Sequence, residues 1–161
     1  MDSILVAVTR LLENQEIVKH INFIDYEKLR FMLCDNKFLF SDIITLLKNQ
    51  EVVENIIAFN IEKFRLIFYN DKLNCVDTIE LLKNQEVVDL INLIAPKKSN
   101  LIFKRFNYKD IIELLENWKV VDHINLIVPE KLELIFNKFS FRDIIKVLED
   151  QSLFERSNSI D

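Results

Sequence analysis

Two histidines, His20 and His123, and two cysteines, Cys34 and Cys75, are the chain's whole supply of the side chains that most often act as proton shuttles, thiolate nucleophiles or soft metal ligands. A metal centre or a catalytic pair needs such groups to converge on one point. The two histidines instead occupy matching positions of two sequence repeats that lie three repeats apart. At about 10 Å per packed helix layer they cannot share a metal or a substrate. They are expected at a partly exposed groove position, with a role in recognition as the sharper alternative. Cys34 and Cys75 stand in apolar surroundings without C-x-x-C spacing, so both are expected as small buried residues. H-E-x-x-H and the serine elbow are absent, and the lack of any glycine removes the phosphate loop and the dinucleotide fingerprint. Neither an enzyme nor a cofactor is expected.

Binding chemistry has more to work with. Lys28 with Arg30, Lys63 with Arg65, Lys97 with Lys98, and Lys131 recur at one place in the repeat; Lys37, Lys72, Lys104 with Arg105, and Lys138 recur at another. Stacking would turn each set into a ladder of cations able to follow a phosphate backbone. The same residues also read as solvated helix ends that complement C-terminal dipoles, with Glu27, Glu62 and Glu130 interleaved. A second series runs Asn14-Gln15, Asn49-Gln50, Asn84-Gln85, Asn117-Trp118 and Asp150-Gln151, flanked by Lys48, Lys83 and Lys119. Its amides and its tryptophan are candidate contacts to a nucleic acid or a partner chain; Trp118 could equally pack beneath the loop of the next repeat. With 21 Lys and Arg against 26 Asp and Glu, the net charge is −5, so nucleic-acid binding would need a local cationic patch.

The elements that position these residues follow from an internal duplication. Leu11-Leu12-Glu13-Asn14-Gln15-Glu16 returns at Leu46, Leu81, Leu114 and Val147, at offsets of 35, 35, 33 and 33. Each copy parses into a short helix starting near Asp42, Asp77, Asp110 or Asp143, a second helix, and a third segment that is separate or continuous past a kink. Ile43, Ile44, Leu46 and Leu47 form the buried stripe of the first helix; Val52, Val53, Ile56, Ile57 and Phe59 form that of the second. The many phenylalanines recur on such stripes and are assigned to the core. Asn49, Asn84 and Asn117 are expected to end the first helix in a left-handed conformation, since glycine is absent. Pro96 and Pro129 align with Asn60 and mark a break or a new helix start.

One such unit cannot bury its own apolar face, so the units are expected to stack into a right-handed all-α solenoid of about 4.5 repeats with two to three helices each. One domain over 1–154 would contain repeats of about 1–37, 38–72, 73–105, 106–138 and a partial 139–154, followed by a polar tail over 155–161.

The junctions from Phe139 to Asp150 and from Phe106 to Asn117, with counterparts from Leu73 and Phe38, read F-[SN]-x-x-D-I-I-x-[LV]-L-x-[ND]. This resembles the first helix of repeats in the transcription activator-like effector group and its divergent bacterial relatives. Lys119 to Pro129 resembles that group's second helix with its internal proline. The resemblance implies DNA binding, with Asn14, Asn49, Asn84, Asn117 and Asp150 bracing a loop whose Gln15, Gln50, Gln85, Trp118 and Gln151 face the bases. The two glycines that such repeats place after that loop are missing, and Glu16, Glu51 and Glu86 would sit near phosphates. P-E-K-L at Pro129–Leu132, followed by Phe139 to Ile144, also resembles the mitochondrial transcription termination factor repeat. The sequence expectation is therefore a DNA- or RNA-binding solenoid. The alternative is a protein-interaction solenoid, and homo-oligomerisation is a corollary of so short an array. The N-terminal apolar run is too short to span a membrane and lacks a basic flank, so an intracellular protein without a secretory signal peptide is expected. A C-terminal secretion signal would leave no trace in this pattern.

Overall fold

The structure, a computed structural model, describes residues 3–34, 38–150, 152 and 155, and leaves the side chains of residues 3 and 4 aside. Lys37, Gln151 and nearly all of the 155–161 tail lie outside the described residues. Those described form helices and no strands. The chain divides into two compact units, Met1–Gln85 and Glu86–Asp161.

The first unit holds α1 (Ser3–Leu12), α2 (Gln15–Ile21), α3 (Tyr26–Cys34), α4 (Phe40–Lys48), α5 (Gln50–Ala58), α6 (Ile61–Phe68) and α7 (Cys75–Lys83). α2 packs on α4 and α5 on α7, while α3 packs on α6. The second helix of one repeat therefore rests on the first helix of the next, and third helices rest on each other. The core follows the repeat: Leu11, Leu46 and Leu81 are fully buried, as are Ile17 and Val52, and Phe64 stacks on Phe68 with ring centroids 4.2 Å apart.

The second unit comprises α8 (Gln85–Leu93, starting at the boundary), α9 (Pro96–Arg105), α10 (Tyr108–Glu116), α11 (Trp118–Leu126), α12 (Pro129–Lys138) and α13 (Phe141–Glu149). It repeats the same contacts, with α11 on α13 and α9 on α12. Leu114, Val120, Ile124 and Leu148 are fully buried, and Phe106 meets Phe136 and Phe141 edge-on at 5.0 and 5.3 Å.

Short helices of seven to ten residues need strong end signals, since isolated helices of this length are marginal. The first helix of a repeat is capped three residues before the expected acid. Asn74, Asn107 and Ser140 accept from the backbone N–H of Asp77, Asp110 and Asp143, and Asp77 reciprocally accepts from the Asn74 N–H. The aspartates thus stand in the first helical turn, where the dipole favours them. Asn49 and Asn117 differ from expectation. No described residue has positive φ; Asn49 is extended at φ −89° and ψ 112° and accepts from the Val52 N–H, as Asn117 does from Val120. Each is the N-cap of the following helix. A single extended residue turns the chain, which spares a β-carbon the left-handed strain.

Pro96 and Pro129 are each the first residue of their helix, in register with Ile61 and not with Asn60, which is itself an N-cap accepting from Lys63 N–H. The third segment is a separate helix in each of the four full repeats. The cysteines depart as well: Cys34 is exposed and Cys75 half-buried, because they end α3 and begin α7 on the sides turned from the core.

Candidate interaction surfaces

No described helix ends in a left-handed residue, so the free carbonyls of the last turns need other donors. The structure supplies them from the preceding repeat. Lys28 on α3 sends Nζ to the end of α5, donating to Ile56 O at 2.8 Å, Ile57 O at 3.1 Å and Phe59 O. Lys98 on α9 does the same at the end of α11, donating to Ile124 O at 2.9 Å and Asn125 O at 3.0 Å. Asn55 donates from Nδ2 to Leu82 O at 2.7 Å near the end of α7. The equivalent His123 meets Leu148 O near the end of α13, which requires the proton on Nδ1. Arg105 Nε reaches Phe136 O in the last turn of α12 at 3.2 Å.

These contacts revise the cationic ladder. Lys28, Lys63 and Lys98 are only 2, 5 and 8% exposed, so Lys63 and Lys98 offer little surface to a partner in this structure. A lysine at this position has its stem inside the helix layer, with α-helical carbonyls as partners for Lys28 and Lys98. Burial lowers the pKa of all three from the usual lysine value; for Lys28 the nearby Asp25 carboxylate, 3.7 Å from Nζ, opposes that shift. Lys97 is exposed and Lys131 half-buried. His20 and His123 are half-buried, as expected of a partly exposed position, and the contacts of His123 and Asn55 tie each to the next repeat.

The junction between first and second helices forms one edge of each unit. In the first unit Gln15, Gln50 and Gln85 are exposed and Asn49 and Asn84 half-buried; Gln50 Nε2 donates to Glu54 at 3.2 Å along its own helix. Lys48 and Lys83 are exposed beside Glu13, Glu16 and Glu51, and Lys48 stands 3.7 Å from Glu16. In the second unit Trp118 is 66% exposed, with Lys119 Nζ 5.8 Å from its ring and Asn117 half-buried. Glu86, Glu116, Glu149 and Asp150 are exposed at this and the corresponding junctions of the unit. Acids outnumber cations on this edge in both units, which repels a phosphate chain.

The opposite edge, where second helices turn into third ones, is apolar. Phe23, Leu93 and Leu126 share one repeat position with Ala58, at offsets of 35, 35 and 33. Phe23 and Leu126 are 68% exposed and Leu93 is 70% exposed. Tyr26 joins Phe23 in the first unit, and Val128 joins Leu93 and Leu126 in the second, all exposed. A nine-residue second helix such as α11 separates the two edges by about 12 Å at 1.5 Å per residue. Sequence reasoning assigned Phe23 to the core and passed over Leu93 and Leu126. The available signal was an apolar residue in every repeat just before the buried Ile24, Phe59, Ile94 and Ile127.

Among the described residues no group of three or more His, Cys, Asp or Glu is placed to hold a metal ion, and no helix is long and apolar enough to cross a membrane. No family model, curated protein or solved structure matches the chain.

Proposed function

We propose that this chain is a non-enzymatic helical-repeat protein, a right-handed α-solenoid, that binds a protein partner along the edge where its second helices end. The carrying observation is the recurrence of an exposed Leu or Phe at one repeat position, Phe23, Leu93 and Leu126, while neighbouring positions are filled by buried residues. An exposed large apolar side chain that returns at the same repeat position in both units, with Tyr26 beside it in the first and Val128 in the second, is not a scattered surface apolar and favours an apolar partner surface. Covering Leu93, Leu126 and Val128 would contribute about 1–2 kcal/mol each by area. The acid-dominated junction edge supports the same choice by disfavouring nucleic acid.

A DNA- or RNA-binding reading has one observation in its favour: Gln15, Gln50, Gln85 and Trp118 are all exposed at the first position of their helices. Two measurements separate the readings. Saturable, salt-sensitive retardation of a short duplex at low ionic strength supports the nucleic-acid reading. A protein partner captured by the wild-type chain and lost on the paired substitutions Leu93→Ser and Leu126→Ser supports the interaction reading; retention of that partner refutes it.

A further inference from the structure

Between α3 and α6 the first unit has a cleft of about 370 Å³ lined by Glu27, Arg30, Phe31, Cys34, Arg65 and Tyr69. Three features set it apart from a packing gap. The Arg65 guanidinium lies over the Phe31 ring, 4.8 Å from its centroid, and Tyr69 meets the same ring edge-on at 4.7 Å and 88°. Resting on a ring engages the π face of a guanidinium and leaves its N–H donors, which lie in its own plane, for another group. Arg30 and Arg65 are exposed, and among the described residues neither forms an ion pair. The matching surface on α9 and α12 carries Asn100 and Glu133 where α3 and α6 carry the arginines, and Leu101 where Phe31 would stand, so the cleft's lining is particular to the first unit.

We propose that this cleft binds an acidic side chain of a partner peptide, an Asp or Glu carboxylate beside an apolar residue. The two guanidinium groups take the carboxylate through planar, charge-assisted hydrogen bonds, and the Phe31–Tyr69 pair takes the apolar neighbour. The volume, at the small end of ligand sites, holds one or two side chains. Glu27 on the lining repels a polyanion and is placed to accept from a peptide N–H, so a singly charged group beside an amide backbone fits better than a phosphate. The proposal stands on the cleft alone and does not depend on a partner at Phe23, Leu93 and Leu126.

Cys34, exposed on the lining, gives a direct readout through its rate of alkylation by iodoacetamide, mapped by mass spectrometry on the full chain. The probes are the blocked peptide acetyl-Ala-Glu-Phe-Glu-Ala-amide, its Gln-for-Glu analogue, and inorganic phosphate. The expected result is saturable slowing of Cys34 labelling by the Glu peptide alone, at about 1 mM or below. Arg30→Gln and Arg65→Gln, both at exposed positions, should each weaken that protection about tenfold, the loss of one charge-assisted contact. Equal protection by the Gln peptide or by phosphate, no protection by the Glu peptide, or full protection in both arginine variants would each overturn the proposal. Because Arg30 lies outside the ring stack, its variant still decides the matter should Arg65→Gln disturb the fold.

Discussion

Replacing Lys98 by Met removes an ammonium group while keeping most of the buried stem. The Nζ satisfies Ile124 O and Asn125 O in the last turn of α11, at 2.9 and 3.0 Å. A hydrogen bond to a charged donor is worth about 1.5–3 kcal/mol, and a buried acceptor left alone costs about 1–3 kcal/mol. Two facts reduce the loss. Ile124 O keeps the Ile127 N–H at 3.3 Å, and Asn125 is exposed, so water reaches its carbonyl. Removing a buried charge also returns part of its desolvation cost. The net expectation is about 2 kcal/mol of destabilisation, or about 1 M in urea midpoint at a slope near 2 kcal/mol/M. Lys28→Met should cost more, about 3 kcal/mol, because Ile56 O, Ile57 O and Phe59 O all lose the same donor. Urea unfolding followed by far-UV circular dichroism measures both, with exposed Lys97→Met as the control, expected within about 0.5 kcal/mol of wild type. If Lys98→Met were no more destabilised than Lys97→Met, the carbonyl-capping role of these lysines would be refuted.

Burial holds the Lys98 pKa below the usual 10.5. Over the interval between the lowered folded value and 10.5, the unfolded chain therefore binds more protons, and stability from this group rises with pH. Unfolding midpoints taken from neutral to alkaline pH should show wild type gaining on Lys98→Met across that interval; a gap that narrows contradicts it. Asn117→Ala should cost about 1 kcal/mol and Asn117→Gly only a few tenths, as for an N-cap; a glycine that stabilises would restore the left-handed C-cap. Arg142→Ala removes a 3.2 Å contact to Glu113 between exposed side chains and should shift thermal stability by no more than about 0.5 kcal/mol.

The repeat made the helical composition legible. Leu11, Leu46, Leu81, Leu114 and Val147 recur in sequence and are all buried, and the stripe residues Val52, Val53 and Ile56 face the core as their spacing requires. Ile57 belongs to that stripe by spacing yet is 39% exposed; its counterparts Asn22, Asn92 and Asn125 already mark the position as a surface one. The burial of these lysines is not legible because sequence gives their charge but not the direction of their stems. Lys28 and Lys98 lie one turn into a third helix whose opening turn faces the end of another helix, and only three-dimensional neighbours reveal the carbonyls there. Local signals of equal strength were ambiguous at Asn49 and Asn117, since asparagine suits both a left-handed C-cap and an N-cap. The α3–α6 cleft was illegible for a related reason: Arg30, Phe31 and Tyr69 come from two repeats, and their meeting depends on how third helices pack.

Which edge of the repeat carries the partner is the question on which the functional account turns. A photoreactive benzophenone amino acid at position 126, on the apolar edge, can be compared with one at position 116, among the acids of the junction edge, in cells that express the chain. The account predicts a discrete protein adduct from position 126 that disappears with Leu93→Ser, and none from position 116. Adducts arising from position 116 alone, or nucleic acid cross-linked there, would contradict it.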